Sequence, residues 1–61
     1  MKGLYQVTAR RAGREITAEV YGNIAEKQTL FVRLMRNCNI KENKWNEWKL
    51  QDVKLNKEIN D

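Results

Sequence analysis

The stretch Leu4 to Tyr21, LYQVTARRAGREITAEVY, is nearly mirror-symmetric in side-chain type about Ala12-Gly13. That symmetry constrains the fold more than any other feature. With the turn centred on those two residues, Ala9 faces Ile16, Val7 faces Ala18 and Tyr5 faces Val20. Period-2 alternation puts all six on one face of a hairpin. The other face pairs Arg10 with Glu15, Thr8 with Thr17, Gln6 with Glu19 and Leu4 with Tyr21. Opposite-charge and Thr–Thr pairs are favourable across strands. A slip of one residue would set Val7 against Thr17 and mix the faces. Ala-Gly is a poor type I′ turn, which wants φ > 0 at both central residues. A four-residue loop, Arg11 to Arg14, keeps the pairing and puts Gly13 or Arg14 in the left-handed region.

A hairpin with one apolar face needs cover, and the rest of the chain supplies it. Asn23 is a good N-cap, with Glu26 at capping-box spacing. Residues 24–38, IAEKQTLFVRLMRNC, carry a helical stripe of Ile24, Phe31, Met35 and Cys38, flanked by Leu34 and Val32. Asn37 or Asn39 is placed to end the helix in the left-handed region. Residues 39–46 are polar and read as a loop anchored by Ile40. In 47–55, EWKLQDVKL, alternation breaks at Gln51-Asp52, as a strand with a β-bulge would show. A helix is the rival, but Asp52 falls in the middle of its apolar stripe. Residues 57–61 read as a frayed tail. The fold class is therefore α+β, with the order β-β-α-β. The sheet is three-stranded and antiparallel, in order 2-1-3, and the helix covers one face.

The 61 residues make one small domain. At this size only about 60% of the unfolded chain's surface is buried, so stability is marginal. One cysteine makes no internal disulfide, and a lone thiol fits a reducing cytoplasm. No apolar run approaches the ~20 residues of a membrane span. Met1-Lys2-Gly3 leads into a strand without a signal peptide. The helix's apolar arc, extended by Leu30 and Ala25, suits either further core or self-association. A monomer and a homodimer are both compatible with it.

The chain has no histidine and no serine, which removes the commonest general base and the commonest nucleophile. Cys38 sits on the apolar stripe near a helix C-terminus, where the dipole disfavours a thiolate, so it reads as packing. The acids are scattered among lysines and arginines, and no glycine-rich phosphate loop exists. The expectation is a non-enzymatic protein without catalytic residue, metal or cofactor.

Two features suggest binding. The first is the hairpin tip, where Arg10, Arg11 and Arg14 set three guanidinium groups within one turn. Arginine forks match phosphate geometry, and a two-stranded ribbon can enter a DNA major groove. Lys41, Lys44, Lys49, Lys54 and Lys57 add positive charge to the C-terminal third, diluted by Glu42, Glu47, Asp52 and Glu58, and Lys44 and Lys49 join the arginines as nucleic-acid candidates. The bland alternative is a solvated turn in which Glu15 engages Arg10. The second feature is the pair Trp45 and Trp48. Three residues apart on a strand they would point to opposite faces, with Trp48 in the core. Trp45 would then join Leu4 and Tyr21 on the open face as a protein-interface candidate. A net charge of +4 permits nucleic acid but does not demand it.

The pattern Tyr5-x-Val7-Thr8-Ala9-Arg10, Gly13, Ile16-Thr17-Ala18-x-Val20, a helix, then Trp48-x-Leu50-x-Asp52-Val53 resembles small β-β-α-β proteins of bacterial phages and prophages. Most of those have no assigned role. The resemblance implies a small cytoplasmic factor that acts by binding, sometimes as a host-protein inhibitor. The positive charge argues against DNA mimicry. Nucleic acid and protein are the two partner classes, and no membrane is expected.

Overall fold

Two ten-residue strands, β1 (Lys2–Arg11) and β2 (Arg14–Asn23), form the hairpin in the computed structural model, which describes residues 1–60. The register runs from Lys2↔Asn23 to Arg11↔Arg14 and contains Tyr5↔Val20, Val7↔Ala18, Thr8↔Thr17 and Ala9↔Ile16. The apolar pairs therefore share one face, as alternation requires. On the other face the Thr8 and Thr17 hydroxyls lie 2.9 Å apart. The hairpin is longer than 4–21 because Lys2 and Gly3 pair with Asn23 and Gly22.

The turn is the two-residue one, and Ala12 takes the positive φ, at 51°. Gly13 does not adopt one, and neither does Arg14. A turn with φ > 0 only at its first central position favours glycine there, and this sequence has the order reversed. Ala12→Gly should therefore stabilise the fold by about 0.5–1 kcal/mol. The strain relieved is ~1–2 kcal/mol, partly offset by glycine's greater freedom in the unfolded chain. A higher urea midpoint at unchanged m-value would show it.

The helix, α1 (Lys27–Asn37), starts later than residue 24. Asn23 does not cap it. Its Oδ1 accepts from the Ala25 amide at 3.0 Å and from the N-terminal ammonium at 3.1 Å. This local Asx turn competes with helix entry, so Glu26 becomes the N-cap, without a side-chain bond. The other end closes as the sequence suggests. Asn39 has φ 57°, the Asn39 amide donates to Arg36 at 3.1 Å, and the Ile40 amide donates to Met35 at 2.9 Å. Those two bonds make a Schellman motif.

The buried side of α1 is Leu30, Leu34 and Met35, and Phe31 and Cys38 are only half-buried. The stripe is rotated toward Leu30 because that side chain sits on Gly22. A Cβ at Gly22 would lie 2.6 Å from Leu30 Cδ2. The helix packs chiefly on β2 and less on β1.

Residues Glu42–Glu47 form a 3₁₀ helix rather than an irregular loop. Trp48 follows it, extended and 5% exposed, within a core that also holds Tyr5, Val7, Ala9 and Val20. The third strand, β3 (Lys49–Glu58), is displaced from 47–55 and runs into the supposed tail. Lys57 and Glu58 pair with Leu4 and Gly3, and the Ile59 amide donates to the Lys2 carbonyl at 3.0 Å. Only Asp61 of that tail lies outside the described residues.

The sheet is antiparallel in the order β2-β1-β3, with α1 on one face. The β1–β3 register shifts twice, leaving Gln51 and Asn56 as extra residues in β3. The first coincides with the phase break at Gln51-Asp52. The inner face of β3 is thinly covered: Leu50 and Val53 are half-buried and Leu55 is 39% exposed.

Candidate nucleic-acid interface

The turn Ala12-Gly13 brings Arg11 opposite Arg14 and, one step back, Arg10 opposite Glu15. The β1–β3 pairing then sets Lys49 beside Arg10. Arg11 shares the inner-face phase of Ala9 and turns toward the 3₁₀ helix, where its Nε lies 2.8 Å from Glu47 Oε1. Lys44 Nζ lies 3.5 Å from the other oxygen of that carboxylate. So Arg10, Arg11, Arg14, Lys44 and Lys49 all gather at one end of the molecule, although 35 positions separate Arg14 from Lys49 in the chain. Both side chains of the Arg11–Glu47 pair are more than a third exposed, so it adds little stability.

Glu15 is Arg10's cross-strand partner but forms no ion pair with it. Its Oε2 accepts from Gln51 Nε2 at 3.1 Å. In the same way Glu19 Oε2 accepts from Asn56 Nδ2 at 3.0 Å. The two extra residues of β3 thus send amides across the central strand to the two acids of β2. Thr8, lying between these crossings, is only 7% exposed.

A division among the cations follows. Arg11 and Lys44 share Glu47. Arg33 donates through Nη1 to the Tyr21 carbonyl and lies 5.9 Å from the centre of its ring. Arg36 lies 5.8 Å from a ring centre of Trp45. By contrast the side chains of Arg10, Arg14, Lys49, Lys54 and Lys57 make no ion pair or hydrogen bond among the described residues. Lys49, Lys54 and Lys57 pair with Arg10, Gln6 and Leu4, so they lie on the open face. Lys54 and Lys57 belong to the basic C-terminal third that the sequence shows, but the sequence does not assign them to the open face. Plain alternation from Lys49 takes Lys57 to the open face but not Lys54; counting the first bulge gains Lys54 and loses Lys57, and counting both brings the two there together.

The protein-interface candidates separate. Leu4 and Tyr21 are cross-strand partners on the open face, half-buried and 40% exposed respectively. Trp45 is not with them. It lies in the 3₁₀ helix, half-buried against the core, with its indole N–H donating to the Ile40 carbonyl at 2.8 Å. The segment is helical there, so strand alternation does not apply to it. The open face around Leu4 and Tyr21 is polar, with Gln6, Arg10, Glu15, Thr17, Glu19 and Lys54 exposed.

Among the described residues no helix is long and apolar enough to cross a membrane, and no group of acids and Cys38 is placed to hold a metal ion. No family model matches the chain, and neither curated proteins nor solved structures yield a significant match.

Proposed function

We propose that this protein is a non-enzymatic binding module, of the phage-type accessory kind, that contacts nucleic acid through the basic end of its hairpin. The observation that carries this reading is the convergence of Arg10, Arg14 and Lys49, unpaired among the described residues, on one exposed end. Unpaired guanidinium and ammonium groups need not give up an existing partner to meet a phosphate, and each contact releases counterions. A cytoplasmic setting, where nucleic acid is at hand, accords with the lone thiol.

The test is affinity for DNA and RNA as a function of salt. Wild type should bind more weakly as salt rises. Changing Arg10 and Arg14 together to Ala should weaken binding to all sequences alike and lower the log–log salt slope by about two units, roughly one per lost phosphate. Neither side chain is in the core, so the circular dichroism should not change. Absence of binding to either polymer at low salt would refute the proposal. The remaining reading is then a protein-binding module or host-protein inhibitor using Leu4 and Tyr21, the apolar cross-strand pair of the open face.

A further inference from the structure

The open face is divided by charge along its length. One edge, β2, carries Glu15 and Glu19. The other, β3, carries Lys49, Lys54 and Lys57, and Arg10 lies on β1 beside Lys49. From Leu4 to Arg10, the partners of Lys57 and Lys49, is about 20 Å at ~3.3 Å per residue. Opposite charges this close on one sheet would ordinarily neutralise each other. Here they form no ion pair: the carboxylates of β2 accept instead from the neutral amides of Gln51 and Asn56, which leaves their charge in place. The bulges that make those residues extra therefore leave the lysines of β3 without acid partners among the described residues. Among the described residues Asp52 is the one carboxylate within the row.

We infer that a nucleic-acid duplex lies along the β3 side of the open face, its phosphates on Arg10, Lys49, Lys54 and Lys57, and is kept off the β2 side by Glu15 and Glu19. This rests on the nucleic-acid reading above and extends it from the hairpin end along the whole sheet. A line of cations offers contacts to a polyanion but no discrimination between bases. Duplex is favoured over single strand because a single strand gains much of its affinity from aromatic stacking. The one exposed aromatic of this face, Tyr21, stands on the acidic edge with Arg33 over its ring. A duplex keeps its bases stacked within itself and presents phosphates at higher density.

The experiment compares wild type with Lys54→Gln/Lys57→Gln and with a control of equal net charge, Arg36→Gln/Lys41→Gln, which removes exposed cations outside the row. Each is titrated with a short DNA duplex and with one of its isolated strands over a range of salt. The row variant should lose affinity for the duplex by on the order of tenfold or more at low salt, with the slope reduced by about 1.8 units, while the control stays close to wild type. Wild type should prefer the duplex to the isolated strand. If the row variant matches wild type while Arg10→Ala/Arg14→Ala is impaired, contact ends at the hairpin tip and the extended path is wrong, though nucleic-acid binding stands. Equal losses in row variant and control would mean that net charge alone matters, and a preference for the single strand would overturn the assignment to duplex. If wild type binds neither probe, nor RNA, the underlying reading falls with it.

Discussion

A Gly3→Ala variant should lose about 2–3 kcal/mol of stability, a large share of the ~3–9 kcal/mol expected for a chain of this length. Gly3 is buried in β1 opposite Gly22 on one side and Glu58 on the other. A Cβ there would overlap the Lys57 carbonyl oxygen and approach Leu55 Cδ1 to 2.9 Å. The obstacle is backbone, so no rotamer change relieves it. The end of β3 would have to lift, breaking the pairing of Lys57 and Glu58 and uncovering Leu55. Gly13→Ala is the natural control, since nothing lies within 4 Å of its Cβ position and its φ is not positive. That substitution should be neutral or slightly stabilising. Urea unfolding of the pair separates close approach from a general cost of losing glycine. Equal stabilities would show that β3 does not close over Gly3.

Trp48→Ala should be more damaging still, at about 3–5 kcal/mol. The indole is 5% exposed and belongs to the same buried cluster as Leu30, Leu34 and Met35. Its amide donates to the Trp45 carbonyl at 3.0 Å, closing the 3₁₀ helix just as the chain enters β3. Truncation would leave a large void in a core of few side chains, and a domain this small has little stability to spare. The variant should show no cooperative thermal transition by circular dichroism, or one shifted far down. Trp45→Ala should cost much less, because that ring is half-buried and keeps one face toward Arg36. If both variants melt alike, Trp48 is not the residue that joins helix side to sheet.

How far each element was legible depends on whether its cause lies within the element. The β1–β2 register could be read because every pair across the turn is a match in polarity, and one slip spoils all of them at once. The bulge at Gln51 could be read because it breaks an apolar alternation. The bulge at Asn56 could not, because Leu55-Asn56-Lys57-Glu58 has no apolar partner beyond Leu55 whose phase would shift. Trp45 was misplaced because NIKENKWN carries no periodic signal for a short 3₁₀ helix, and the bond that holds its indole goes to a carbonyl five residues back.

The chain alone determined what depends on near neighbours and on pattern. That covers the hairpin and its faces, a helix stop at Asn37 or Asn39, and a cluster of arginines at the turn. Only the tertiary structure decided which helix residues are buried, because Leu30 is drawn in by the space left at Gly22. Only it decided where α1 begins, because Asn23 is engaged by Ala25 and by the N-terminus. It also decided which cations remain without partners: Glu47 takes Arg11 and Lys44, while Gln51 and Asn56 hold Glu15 and Glu19 away from Arg10, Lys49, Lys54 and Lys57. Each of these outcomes is a competition for a shared partner between residues far apart in the chain. Sequence shows the competitors, but which of them meets the partner depends on distances that only the packed fold sets.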